Sequence, residues 1–129
     1  MKDNKNNILI IDDDTSILME LTHLLKTEYK IHALRDGITA LEKAGDYMPD
    51  LILLDIFMPD MNGFEVLAKL KQIDKIKAIP VIFISGATGN DDEAKGLAAG
   101  AVGYIRKPFN SNEVITKVRH QIQLQYSKR

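Results

Sequence analysis

The sequence predicts an α/β fold built on a mostly parallel sheet. Short apolar runs alternate along the chain with amphipathic stretches of helical spacing, the pattern of repeated βα units. The run "LILL" at 51–54 is apolar at every position, as in a strand covered on both faces. Polar and charged residues then collect just after the runs, where open α/β sheets bind their ligands.

Each element follows from local pattern. "ILII" at 8–11 is the first strand. In 15–27, Ile17, Leu18, Leu21, Leu24 and Leu25 fall at helical spacing, and Asp14 or Thr15 caps the start. "KIHAL" at 30–34 alternates weakly and reads as an edge strand; "RDG" is a turn, and 38–46 a short helix with Leu41 and Ala44 inward. "LILL" is the third strand. The stretch 62–73 reads as a helix with Phe64, Leu67, Leu70 and Ile73 on one face. Pro80 opens the fourth strand, "VIFI", where a missing N–H is tolerated. A weak, small-residue helix over 91–99 ends at Gly100, "VGYI" at 102–105 is the fifth strand, and 110–126 is the last helix, capped by Asn110 or Ser111.

Five strands and five helices fill the 129 residues as a single domain over 1–129, with a core of 7–122 and with 123–129 as the start of a helical linker. The net charge of −1 supplies no global field towards nucleic acid or anionic lipid. The absence of cysteine excludes disulfides, thiolate catalysis and Cys-ligated metals. No apolar stretch approaches the roughly 20 residues of a membrane span. "MKDNKNN" at the start lacks the apolar segment of a signal peptide. The chain therefore reads as soluble and cytoplasmic, with neither a membrane nor a nucleic acid as a direct partner.

Asp12, Asp13 and Asp14 follow the first strand, Asp55 the third, and Ser85 and Gly86 the fourth; Arg106, Lys107 and Pro108 close the fifth. If the first strand lies beside the third, the acids converge with a hydroxyl and an ammonium on one edge. Close carboxylates repel and raise one another's pKa unless neutralised. A hard divalent cation relieves this, and Mg²⁺ needs only one or two carboxylates together with phosphate and water. An Asp can act as nucleophile towards phosphorus, and phosphoryl transfer needs chiefly positioning and charge stabilisation. The cluster thus suits phosphorylation of one carboxylate. Plainer readings stand beside this one: Asp55 as a turn residue, Asp12 or Asp13 as helix caps, Ser85 as a loop serine, Lys107 as a surface lysine, Tyr104 as packing. A cap needs one acid, not three in a row, and Asp14 suffices.

The stretches "ILIIDDD", "PDLILLDIFMPDMNGFEV", "IPVIFISG" and "AAGAVGYIRKPF", with "RDG" before a helix, resemble the receiver domain of two-component response regulators over essentially the full length. The resemblance implies a doubly wound, flavodoxin-like (βα)5 fold with a five-stranded parallel sheet of order 2-1-3-4-5. It makes Asp55 the phosphoacceptor. Asp12 and Asp13 become the acidic pair for Mg²⁺ or Mn²⁺, Asp13 the more direct ligand, with Asp55 and the Phe57 backbone carbonyl completing the protein ligands. Ser85 and Lys107 would bind phosphoryl oxygens, Ser85 and Tyr104 would form the switch, and the Lys107–Pro108 bond would be cis. Ser85 stands where Thr is commoner and Gly86 where Ala is usual; Phe57 and Ala87 hold variable places that influence phosphoryl lifetime.

The implied partners are a histidine kinase or phosphotransfer protein as donor, and an output domain or partner protein reading the face of the fourth helix, fifth strand and fifth helix. A phosphorylation-dependent homodimer is a further implied partner. The chain would not be an enzyme on other substrates; it would catalyse only its own phosphorylation and dephosphorylation. A haloacid-dehalogenase-like phosphatase needs a second acid where Phe57 stands, and a nucleotide or flavin module wants a Gly- or Ser-rich loop where "DDD" stands. A receiver-like module that only binds partners would not need all five active positions intact.

Overall fold

The computed structural model describes residues 5–86 and 90–127; the outermost residues and 87–89, including Ala87, lie outside it. Five strands, β1 (Asn7–Ile11), β2 (Lys30–Leu34), β3 (Leu51–Leu54), β4 (Val81–Ser85) and β5 (Gly103–Arg106), pair in parallel in the order β2-β1-β3-β4-β5. Five helices connect or follow them: α1 (Thr15–Leu25), α2 (Gly37–Tyr47), α3 (Gly63–Leu70), α4 (Asn90–Ala98) and α5 (Ser111–Ser127). The chain runs outward from β1 in one direction to β2 and in the other through β3 to β5. The crevice at the carboxyl ends of β1 and β3 is therefore the topological switch point.

The three central strands are buried almost throughout, and their side chains alternate between two apolar layers. Leu9, Ile11, Ile52, Leu54, Val81 and Phe83 face α2 and α3. Ile8, Ile10, Leu51, Leu53, Ile82 and Ile84 face α1 and α5. Leu18, Leu21 and Leu25 of α1 and Val114, Val118 and Ile122 of α5 close the second layer at helical spacing. Strand β2 is the half-exposed edge.

Local chemistry sets the helix ends. Asp14 caps α1, accepting from Ser16 N–H at 2.9 Å and Ile17 N–H at 3.4 Å. Asn110, not Ser111, caps α5, accepting from Asn112 N–H at 2.8 Å. Asn62 and Glu65 form a capping box on α3. That helix stops at Leu70, short of the expected 73. Beyond it the bonds tighten to three-residue steps, Ile73 N–H to Leu70 O at 3.1 Å and Ile76 N–H to Ile73 O at 2.9 Å. Ile73, Ile76 and Ile79 turn inward at that same spacing. In α2 the buried residues are Gly37, Ala40 and Ala44, with Leu41 only partly covered. The fifth strand begins at Gly103, leaving Val102 exposed.

Helix α4 sits on the sheet through Gly96, its buried residue among those described. A Cβ there would lie 2.8 Å from Phe83 Cδ2 and 3.1 Å from Phe83 Cε2. Helix α5 stays against the body as far as Gln125, whose side-chain amide donates to the Asp50 carbonyl. The Asp50 carboxylate in turn accepts from Asn7 N–H at 2.8 Å.

Met48 ends α2 in the left-handed region at φ 45°, immediately before Pro49, with its side chain about half exposed. That backbone costs an L-residue about 1–2 kcal/mol, and little packing is lost with the side chain. Met48→Gly is expected to raise stability by about 0.5–1 kcal/mol after the added unfolded-state freedom is subtracted. Urea denaturation checks the sign, and a destabilised variant would contradict it.

Candidate functional site

The residues that follow the parallel strands meet at the switch point. Strand β1 continues its pairing through Asp12, whose N–H donates to Leu34 O at 3.1 Å, and Asp55 N–H donates to Ile11 O at 2.9 Å as the chain leaves β3. These bonds set two acidic side chains side by side beyond the apolar core. Asp12 and Asp55 are buried, 1% and 4% exposed, and Asp13 is half-buried. Oxygens of Asp12, Asp13 and Asp55 lie within 4.8 Å of one another.

Lys107 supplies the facing charge. Its backbone N–H donates to Ser85 O at 2.9 Å, which joins the end of β5 to the end of β4. The peptide bond to Pro108 is cis, as the resemblance implied. The ammonium donates to Asp12 Oδ2 at 2.7 Å and to Asp55 Oδ1 at 3.4 Å. Asp12 Oδ1 accepts from Asp14 N–H at 2.9 Å, so both of its oxygens are engaged.

The electrostatics are those of an under-neutralised cluster. Burial, then the charge of Asp12, pushes the Asp55 carboxyl up to about 7; Lys107 opposes this, and Asp13 adds to the rise. For Lys107, burial pulls the ammonium down, but hydrogen bonding to Asp12 and the charges of Asp55 and Asp12 outweigh it, so its pKa stands above the ordinary value. The Lys107 ammonium reaches two of the three carboxylates, Asp12 and Asp55, and a divalent cation with oxygen ligands fits the negative charge that remains.

Two more of the expected residues stand on the neighbouring strands. Ser85 is fully buried at the end of β4. Tyr104 is 5% exposed and packs into the layer beneath α4, so the ring faces inward. Burial raises the pKa of its hydroxyl and the adjacent Ser85 lowers it, yet no well-formed hydrogen bond closes on that oxygen among the described residues. The Arg106 guanidinium lies 5.6 Å from the Tyr104 ring centroid and pairs with Glu93 of α4 at 3.1 Å. The Phe57 side chain points outward and is 59% exposed.

Sequence reasoning passed over residues that hold the loops and helices around the site. Gly63 N–H donates to Ile56 O at 2.7 Å, closing the loop after Asp55. A Cβ on Gly63 would run into the Asp55 carbonyl oxygen and lie 2.8 Å from Ile56 Cα, so that position takes no side chain. Asp60 accepts from Ile38 N–H at 3.0 Å and Gly37 N–H at 3.4 Å, a contact across the fold that no local pattern signals. Glu93 lies in a stretch whose sequence signals only a weak helix.

The family model for the response regulator receiver domain matches residues 8–119. Among curated relatives, a probable cyclic di-GMP phosphodiesterase of Vibrio cholerae is 39% identical over 94% of this chain and 27% of its own length. The cell cycle response regulator CtrA of Brucella ovis is 36% identical over 86% of this chain and 47% of its own. The chain thus spans between about a quarter and somewhat over half of the curated relatives it matches first. Among solved structures, a CheY-like response regulator receiver domain protein from Methanospirillum hungatei superposes with a TM-score of 0.89 at 30% identity, covering 98% of this chain and all of that one. The chemotaxis protein CheY4 of Vibrio cholerae gives 0.84 at 30% identity over 90% of this chain and 98% of its own. No helix among the described residues is long and apolar enough to cross a membrane. With the doubly wound order, the acidic switch point and the facing lysine all in place, the chain belongs to the response regulator receiver domain family, a signalling domain.

Proposed function

We propose that Asp55 accepts a phosphoryl group from a phosphohistidine on a histidine kinase or phosphotransfer protein. The observation that carries this reading is a buried carboxylate at the end of β3, 3.4 Å from the Lys107 ammonium and within 4.8 Å of two further acids. A carboxylate whose pKa lies at about 7 is ionised in a large fraction of molecules near neutral pH and is poorly solvated, which suits a nucleophile. An Asp55 oxygen forms the bond to phosphorus as the P–N bond breaks, and the imidazole leaves with the bonding pair and takes up a proton. Lys107 turns from Asp12 to a phosphoryl oxygen, and the Ser85 hydroxyl donates to another.

Asp12, Asp13, Asp55 and the Phe57 carbonyl would hold Mg²⁺, or Mn²⁺ in its place, which when bound neutralises charge on the phosphoryl oxygens. Asp13 would be the most direct side-chain ligand, because Asp12 already serves Lys107 and Asp14 N–H. Tyr104 would read the Ser85 movement: its hydroxyl lies beside that residue, and its ring joins α4 to β5 through Arg106 and Glu93. We assign the α4–β5–α5 face to an output domain, a partner protein or a second copy in the phosphorylated state. The reading places a single receiver domain in the cytoplasm, acting on no substrate beyond its own phosphorylation and dephosphorylation. Helix α5, unbroken to Ser127, supports a helical connection from 123 onward.

Incubation with Mg²⁺ and a small phosphodonor, followed by intact-mass measurement, is expected to add one phosphoryl group. The adduct should disappear in Asp55→Asn and in a chelator. If neither an adduct nor Mg²⁺-dependent binding of beryllofluoride is seen, the phosphoacceptor reading fails.

Stability should report the same carboxyl. The folded-state pKa of about 7 exceeds the ordinary 3.8, so the folded protein holds a proton that the unfolded chain gives up. The stability from protonated Asp55 is full below about pH 4 and is lost as pH rises through about 7. In chelator at pH 8, Asp55→Asn is expected to be more stable than the wild type by on the order of 2 kcal/mol, with the gap closing towards pH 4. Millimolar Mg²⁺ should raise the Tm of the wild type more than that of the variant. Thermal scans across pH check both; a variant less stable at pH 8 would contradict the burial argument.

A further inference from the structure

The loop between Asp55 and α3 carries the Phe57 carbonyl, yet its own backbone is thinly held. Gly63 N–H to Ile56 O, at 2.7 Å, closes its ends. Among the described residues, the backbone of 57–61 makes no hydrogen bond to the protein. What holds this span is the buried Met58 side chain, packing of Met61, and the Asp60 carboxylate.

Asp60 does not cap the helix that follows it. It reaches across to the first turn of α2, accepting from Ile38 N–H at 3.0 Å and Gly37 N–H at 3.4 Å. Those amides lack partners within the helix, and α2 has no acid in its first turn. The α2 cap, Asp36, serves only the third amide, Thr39 N–H at 2.7 Å. Close approach is possible because residue 37 is glycine: a Cβ there would lie 2.7 Å from Val66 Cγ2 and 3.3 Å from Met61 Cβ. Helix α2 is itself seated by the fully buried Ala40 and Ala44. Asp60 therefore ties a loosely held loop to a fixed element, with the helix dipole favouring the carboxylate.

We propose that Asp60 is a positioning residue for the divalent-cation site, clamping the β3–α3 loop to the start of α2 so that the Phe57 carbonyl stays in register with Asp13 and Asp55. This rests on the phosphoacceptor reading above, and concerns how that site is assembled. A ligand group on an anchored loop needs less ordering when the cation arrives, so the clamp should appear in affinity.

The test is Mn²⁺ binding to the 129-residue chain by electron paramagnetic resonance, with no phosphodonor present. The wild type should bind one ion and Asp13→Asn should lose it. Asp60→Ala should weaken binding about tenfold. Asp60→Asn, which keeps one acceptor oxygen, should fall between. Asp36→Ala removes the other cap of α2 and one charge, and should stay within about twofold of the wild type if only the loop matters. Equal losses in Asp36→Ala and Asp60→Ala would assign the effect to helix stability and overturn the proposal. So would wild-type affinity in Asp60→Ala, or a deficit that vanishes in high salt, the mark of distant charge. No Mn²⁺ on the wild type would sink the cation reading itself, a result separate from any ranking of the variants.

Discussion

One ammonium set among three carboxylates organises this domain. Lys107 bridges Asp12 and Asp55, which are nearly sealed from water. Buried acids at this spacing are tolerated only when paired or protonated. The pairing is incomplete, and the raised pKa of Asp55 expresses the shortfall. The fold keeps a site with an excess of negative charge, which added positive charge relieves.

The sheet makes that arrangement reachable. Parallel pairing brings the carboxyl ends of β1, β3, β4 and β5 to one edge, and the reversal of strand order at β1 opens the crevice there. Bonds that continue the strands past their ends, Asp12 N–H to Leu34 O and Lys107 N–H to Ser85 O, carry the rigidity of the sheet into the candidate site. Precision at the site is thus inherited from backbone pairing, while the two apolar layers beneath supply the stiffness.

Much of this was legible in the chain. Strands covered on both faces are uniformly apolar, so β3 and β4 were unambiguous, and the acids after β1 and β3 marked the edge where they meet. The end of α3 was not legible, because Ile73 fits a helical face and a three-residue turn equally well. The inward setting of Tyr104 was not legible either, since an aromatic strand residue packs in either direction. The Asp60 contact joins residues far apart in sequence, and a loop acid beside a helix looks like an ordinary cap until the partner helix is seen. Strand ends and composition are local properties; clamps and orientations are tertiary ones.

The seat of α4 differs in kind from those of its neighbours. Helices α1 and α5 drive leucine, isoleucine and valine knobs into the sheet, so any slide must lift them over one another. At Gly96, α4 presents bare backbone to the flat ring of Phe83. That contact interlocks no side chain of α4 with the ring, so it resists sliding less than the knobs of α1 and α5 do. A polar fastening of α4, the half-exposed pair between Glu93 and Arg106, is of the weak, solvent-screened sort. Among the described residues, α4 is therefore joined to the sheet by fewer interlocking side chains than α1 or α5, and its position is the less firmly dictated by packing.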